Sequence, residues 1–228
     1  MLRLEKPGTA SRPAPSELLR ETRAVAVLRA RHASDYAPVI DALQRGGMLS
    51  IELTLSTPGV WEELPLLRER FGDSLEIGVG TITEAADAET ALDLGAAYIV
   101  TPVTDPSVIE ACVRRGVPVY PGGMTPTELH TGWKLGATAV KIFPASTVGA
   151  GYVSQLRGPF PDIEVIPSGG VNIDDVPDWI RAGALAVSLG GPLLGDAFKG
   201  GDLQDLTARA RRVRELIDQT AEQLGATK

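Results

Sequence analysis

Eight short apolar runs recur along this chain, each separated from the next by an amphipathic stretch. They are Ala24–Leu28, Ser50–Leu53, Leu75–Val79, Ala97–Val100, Val117–Tyr120, Ala139–Ile142, Ile163–Ile166 and Ala184–Leu189. Between them apolar side chains return at helical spacing over Asp35–Arg45, Val60–Arg70, Glu84–Leu94, Ser107–Arg114, Pro126–Lys134, Tyr152–Leu156 and Val176–Arg181. A charged stretch, Asp202–Leu224, closes the chain with Leu203, Leu206, Ala210, Val213, Leu216 and Ile217 at the same spacing. Strands that alternate with helices pair in parallel, because a helix carries the chain back to the same edge. Gly46-Gly47, Gly95, Gly116, Gly136 and Gly183 stand where these helices would end. The pattern predicts an α/β fold, a (β/α)8 TIM barrel forming a single domain over 16–228. A short N-terminal helix after Ser16 and a long C-terminal helix complete it. An open doubly wound sheet is the alternative. Against it, the turn Leu28-Arg29-Ala30 after the first strand has no Gly-rich dinucleotide fingerprint. Residues 1–15, with three prolines, read as a flexible leader.

The length of 228 residues, 43% hydrophobic, suits one large domain that needs no disulfide or metal to fold. The net charge of −7 and the lack of a basic run argue against nucleic acid and against an anionic membrane as partners. No apolar run is long enough to span a bilayer, and the N-terminus lacks the apolar core of a signal peptide. The single cysteine, Cys112, excludes an internal disulfide and sits in an apolar helical pattern. A cytoplasmic enzyme or binding protein is expected.

Barrels of this kind build their sites at the C-terminal ends of the strands. The polar residues there are Arg29 after the first strand, Glu52 and Thr54 on the second, and Gly80-Thr81 after the third. Pro102 follows the fourth, Lys141 lies within the sixth, Ser168-Gly169-Gly170 follow the seventh, and Gly190-Gly191 the eighth. Glu52 and Lys141 lie inside apolar runs and are costly to bury. They form either a structural ion pair or a nucleophile with its proton shuttle. An amine that loses its proton in an apolar strand can form a Schiff base with a ketone, whereas an edge-strand lysine would reach water.

The glycine pairs after the seventh and eighth strands allow close approach of the backbone to an anion, the usual phosphate end of such barrels. Ordinary turn chemistry is the other reading. Asn172 is placed to cap the helix that follows, aimed at the same anion. An arginine at Arg29 could clamp a carboxylate, with the Thr81 hydroxyl beside it. His32 and His130 have no metal-ligand spacing, and no HExxH or carboxylate cluster appears, so no metal is expected. Trp61, Trp133 and Trp179 fall on helical stretches and read as packing.

These residues, taken in order, resemble a family. The segments Ala24-Val25-Ala26-Val27-Leu28-Arg29, Ile51-Glu52-Leu53-Thr54, Gly78-Val79-Gly80-Thr81, Pro121-Gly122 with Thr125-Pro126-Thr127-Glu128, Val140-Lys141-Ile142-Phe143-Pro144, Gly158-Pro159-Phe160-Pro161 and Pro167-Ser168-Gly169-Gly170-Val171 are similar to the 2-keto-3-deoxy-6-phosphogluconate / 4-hydroxy-2-oxoglutarate aldolases. The resemblance runs from about Ala24 to Leu194. It implies a trimeric barrel doing Schiff-base chemistry without a metal or other cofactor, on a phosphorylated 2-keto acid that yields pyruvate. It further implies Lys141 as the Schiff-base lysine and Glu52 as general acid/base. Arg29, Thr81, Pro102 and Thr54 fall at the pyruvate carboxylate. Ser168, Gly169, Gly170, Gly190 and Gly191 fall at the phosphate. Three positions depart from many members: Ser168 stands for threonine, Gly191 for serine, and Ser56 for an arginine found in some. These leave open the gluconate derivative, its galactonate epimer or the oxoglutarate as substrate. A phosphosugar-binding barrel or an isomerase remains the reading from a different class.

Overall fold

The computed structural model describes residues 12–226. Of the leader expected at 1–15, residues 1–11 lie outside the described residues. Arg12 lies over the Trp133 ring, 3.4 Å from its centroid, and Pro13 is buried.

Helix α1 (Glu17–Thr22) starts where the Ser16 side chain accepts from Leu19 N at 3.0 Å. Then strands and helices alternate: β1 (Ala24–Leu28), α2 (Tyr36–Arg45), β2 (Ser50–Thr54), α3 (Val60–Phe71), β3 (Glu76–Gly80), α4 (Ala85–Asp93), β4 (Ile99–Val100) and α5 (Pro106–Arg114). Next come β5 (Val119–Tyr120), β6 (Gly122–Gly123), α6 (Pro126–Lys134), β7 (Val140–Ile142), α7 (Gly151–Arg157) and β8 (Val165–Pro167). The chain finishes with α8 (Val176–Arg181), β9 (Val187–Leu189), a short α9 (Gly191–Leu194) and the long α10 (Leu203–Ala226). The motif Thr125-Pro126-Thr127-Glu128 is a capping box. The Glu128 carboxylate accepts from Thr125 N at 2.8 Å and Met124 N at 3.1 Å, which fixes where α6 begins.

All the pairings are parallel, in the order β5-β4-β3-β2-β1-β9 and β6-β7-β8. β5 and β6 are one barrel stave, interrupted at Pro121, which has no N–H for the ladder. A bridge between Ser168 and Ser188, with Leu185 N donating to Val165 O at 2.9 Å, joins β8 to β9 and closes the ring. The expected (β/α)8 barrel therefore forms, as one domain. Several strands are shorter than the apolar runs that announce them. Val117 N bonds back to Cys112 O and Ala184 N to Trp179 O, both at 3.0 Å, so these residues belong to the helix-ending turns. Those turns pass through Gly116 (φ 67°) and Gly183 (φ 95°), where a left-handed backbone suits glycine. Helix α9 is not among the expected elements: the pattern reads Gly190-Gly191 as a phosphate-binding turn and assigns no helix there.

The strand period of two divides the side chains between two cores. Ala24, Ala26, Leu28, Ile51, Leu53, Ile77, Val79, Ile99, Val119, Val140, Ile142, Val165, Val187 and Leu189 point outward and meet the helices. Val25, Tyr98, Val100, Tyr120, Ala139, Ile166 and Ala186 fill the barrel interior, with Leu19 of α1 packed against them. Above that plug, toward the C-terminal ends of the strands, the inward positions turn polar. No helix of the described residues is long and apolar enough to cross a membrane.

Candidate active site

Inward register places the two charged strand residues. Lys141, the central residue of β7, pairs with Gly122 on one side and Ile166 on the other and is 7% exposed. Its ammonium nitrogen lies 5.0 Å from the centre of the Phe143 ring. Glu52 lies in β2 between Val27 and Gly78 and is 1% exposed. Among the described residues Lys141 and Glu52 form no salt bridge with each other or with any other side chain. Glu52 Oε2 is buried with no hydrogen-bond partner among the described residues. Burial pushes the Glu52 carboxyl above the usual carboxylate range, while the positive charges of Lys141 and Arg29 pull it back. A desolvated carboxyl held near, but not on, a buried amine can move a proton to and from whatever occupies the space between.

That space is a cavity of about 430 Å³ at the C-terminal ends of the strands. Lys141, Glu52, Arg29, Thr54, Thr81 and Pro102 all line it, and so do Ser168, Gly169, Gly170, Gly190 and Gly191. Arg29 is exposed at the mouth and makes no hydrogen bond or salt bridge among the described residues, so its guanidinium is free for an anion. Thr54 Oγ1 donates to the Leu28 carbonyl at 2.9 Å, so its hydroxyl holds the end of β1 that carries Arg29. Ala30 N, just beyond, donates to Thr57 Oγ1 at 3.2 Å and fixes the same turn. Thr81 follows β3 with φ 63°, a left-handed conformation that is strained for a β-branched residue. Leu55 N to Gly80 O (2.8 Å) and Ile82 N to Val100 O (3.3 Å) hold the chain on either side of it.

After β8, two staves from the β1 end that carries Arg29, Gly169 (φ 85°) and Gly170 (φ 75°) run left-handed in succession. The turn is tied down by Ala145 N to Ser168 O at 2.8 Å and Ser146 N to Gly169 O at 3.1 Å. The Ser168 hydroxyl donates to Ser188 Oγ at 3.2 Å. Asn172 is not part of this cavity: its amide donates to Asp175 Oδ2 at 3.0 Å, inside the cap of the next helical turn. Ser56 is exposed outside the cavity, and His130 stacks on Phe160 at 4.2 Å, as packing. Cys112 is buried in the outer core.

Sequence reasoning missed Phe143, Leu194, Gly195, Phe198 and Lys199, which line the same cavity. The last three belong to the connection between β9 and α10, a Gly-rich segment carrying one lysine (Gly195-Asp196-Ala197-Phe198-Lys199-Gly200-Gly201). That composition was the available signal for a turn over the barrel mouth.

A family model described as KDPG and KHG aldolase matches residues 16–209. The 2-dehydro-3-deoxy-6-phosphogalactonate aldolase of Escherichia coli K12 is 32% identical over 186 residues, covering 81% of this chain and 89% of that protein. The 2-dehydro-3-deoxy-phosphogluconate aldolase of Pseudomonas aeruginosa is 32% identical over 165 residues, covering 72% and 74%. Among solved structures, the KDPG aldolase of Legionella pneumophila, with pyruvate captured as a covalent carbinolamine, superposes with a TM-score of 0.79 at 25% identity, covering 86% of this chain and 96% of that one. With a barrel of this topology, a buried lysine and glutamate facing one cavity and a family model spanning most of its length, the chain belongs to the KDPG and KHG aldolase family.

Proposed function

We propose that this protein is a lyase, a class I aldolase that cleaves a 2-keto-3-deoxy-6-phospho sugar acid to pyruvate and glyceraldehyde 3-phosphate through a Schiff base on Lys141. One observation carries the reading: Lys141 and Glu52, both buried, face a single cavity without pairing to each other. The unprotonated amine of Lys141 adds to the C2 ketone. Glu52 gives and takes the protons of carbinolamine formation and dehydration. The protonated imine accepts the electron pair of the C3–C4 bond as the C4 hydroxyl loses its proton, and the aldehyde leaves. The enamine is protonated at C3, and water releases pyruvate and the free lysine. The imine is the electron sink, so no metal or other cofactor is required, and turnover is expected to survive EDTA.

Arg29 and Thr81 receive the carboxylate, with Pro102 shaping that end and Thr54 holding the β1 turn. Ser168, Gly169, Gly170, Gly190 and Gly191 receive the phosphate. Identity does not separate the gluconate from the galactonate substrate, since relatives of both names are 32% identical. Cleavage assays with the two epimers and with 4-hydroxy-2-oxoglutarate rank them. Action in the cytoplasm as a homotrimer belongs to the same reading. Exposed apolar side chains at Val103, Met124 and Leu135 give such an assembly something to cover, and sedimentation measures it.

The deciding experiment is reduction with borohydride in the presence of pyruvate, followed by peptide mass mapping. A pyruvate adduct on Lys141 is expected. An adduct elsewhere, or none, returns the protein to the isomerase or phosphosugar-binding reading.

A further inference from the structure

We propose that Lys199 is a phosphate-recognising residue, supplying the cation that the two glycine turns lack. The inference rests on the reading that the cavity takes a phosphorylated keto acid. The turns themselves offer backbone N–H groups and one hydroxyl, that of Ser168, which donates to Ser188 Oγ at 3.2 Å, and Gly191 brings no side chain. Lys199 lines the same cavity from the connection between β9 and α10.

Two features separate it from an ordinary surface lysine. First, its segment is pinned. Arg209 donates to the Leu193 and Leu194 carbonyls at 2.7 and 3.0 Å. Lys199 N and Gly201 N both donate to Asp196 O, at 2.7 and 3.0 Å, and the Phe198 ring meets Tyr36 edge-on with centroids 5.8 Å apart. The stem of Lys199 thus starts from a fixed point at the cavity rim. Second, the ammonium is unengaged: Lys199 is exposed and makes no side-chain hydrogen bond or salt bridge among the described residues. Arg209 and Arg214, by contrast, hold backbone carbonyls.

The charges fit a ligand that is anionic at both ends. Among the described residues, Arg29, Lys141 and Lys199 line the cavity against one acid, Glu52, in a chain whose net charge is −7. Arg29 has the planar fork that suits a carboxylate. Lys199 is a compact point charge on a flexible stem, which suits a phosphate placed by backbone donors.

The test is calorimetric titration with glycerol 3-phosphate, a C3 phosphate that cannot react, and with glycerol as the uncharged control. Lys199→Met is expected to weaken glycerol 3-phosphate binding about tenfold, the scale of one charge-assisted hydrogen bond, and to flatten its salt dependence. Lys199→Arg should restore most of the affinity. Arg212→Met, which changes net charge equally from an exposed position on α10, should leave it unchanged. Melting curves establish that each variant is folded. Wild-type affinity in Lys199→Met, or an equal loss in Arg212→Met, overturns the proposal. Pyruvate trapping on the wild type is read separately. Binding through Lys199 without an adduct on Lys141 rejects the aldolase reading and keeps this one. An adduct together with unaltered binding in Lys199→Met does the reverse.

Discussion

Gly80 leaves the space in which the Glu52 carboxylate lies. A Cβ built on Gly80 would overlap Glu52 Oε1 and come within 2.5 Å of its carboxyl carbon. The two residues sit on neighbouring strands, in the register that pairs Glu52 with Gly78 and Thr54 with Gly80. Gly78, one inward position below, makes room in the same way for the Tyr98 ring. The glycines of β3 therefore partition the barrel interior, with a buried phenol ring beneath and the acid above. Neither has positive φ, so the reason for glycine is space, not backbone conformation.

Gly80→Ala is expected to fold and to displace the Glu52 carboxyl, with turnover falling on the order of a hundredfold, the cost of misplacing a catalytic group by about an ångström. Steady-state kinetics with the preferred substrate measure it. Turnover within a factor of two of wild type would show that the carboxyl needs no fixed place.

Glu52→Gln should lose about 10²–10⁴ in turnover, the range for removing a general acid/base, and should gain stability at neutral pH. The sign follows from burial. The folded-state value is raised above the ordinary carboxyl value of 4.5, so the folded protein binds the proton more tightly than the unfolded chain. Stability conferred by that proton is present at low pH and disappears as pH rises from 4.5 through the raised value. Glutamine carries no such dependence. The melting-temperature advantage of Glu52→Gln should therefore widen between acidic and neutral pH. A lower melting temperature with activity retained would instead mark Glu52 as a structural counter-ion.

The alternation of apolar runs and helical stretches carried the barrel, because parallel strands buried on both faces have to be apolar on at least the outer one. It did not carry the inner layers. Tyr98, Tyr120 and Leu19 form the interior plug through contacts between distant elements, which no local spacing records. The lining of the candidate cavity was legible where chemistry conflicts with burial: a lysine and a glutamate in apolar strands, glycine pairs after strands. It was illegible where a residue reaches the cavity from a loop that obeys no period. Lys199 is one such case, and Phe143, one step past β7, is another. Asn172 shows the converse: a polar residue at the right strand end whose amide is held by Asp175.

Thr81→Gly should raise the apparent KM for substrate while stability is held or slightly increased. A β-branched residue at φ 63° costs about 1–2 kcal/mol, and glycine gives back roughly 0.5–1 kcal/mol of that through its freer unfolded chain. The hydroxyl proposed to meet the substrate carboxylate is lost with the side chain. Thermal melts and initial rates decide the matter. A clear drop in melting temperature with KM unchanged would mean that the side chain serves packing and not the ligand.

Gly191→Ser is expected to tighten the phosphate end. A Cβ on Gly191 meets nothing within 4 Å, so a serine enters without displacing a neighbour. Gly191 opens α9 and has no positive φ, so the backbone tolerates a side chain. It lines the cavity beside Ser168 and Gly170, where an added hydroxyl could donate to an anion. One such hydrogen bond corresponds to roughly a two- to tenfold lower KM for the phosphorylated substrate, with kcat nearly unchanged if, as proposed, the chemistry takes place at Lys141. Gly170→Ser is the opposed control. It combines φ 75° with a Cβ 2.7 Å from the Ser146 side chain, so it should strain the turn and raise KM. A Gly191→Ser variant whose KM matches wild type for phosphorylated substrate would place the phosphate away from this turn. A lowered KM for an unphosphorylated analogue as well would make the added hydroxyl a general contact, not a phosphate donor.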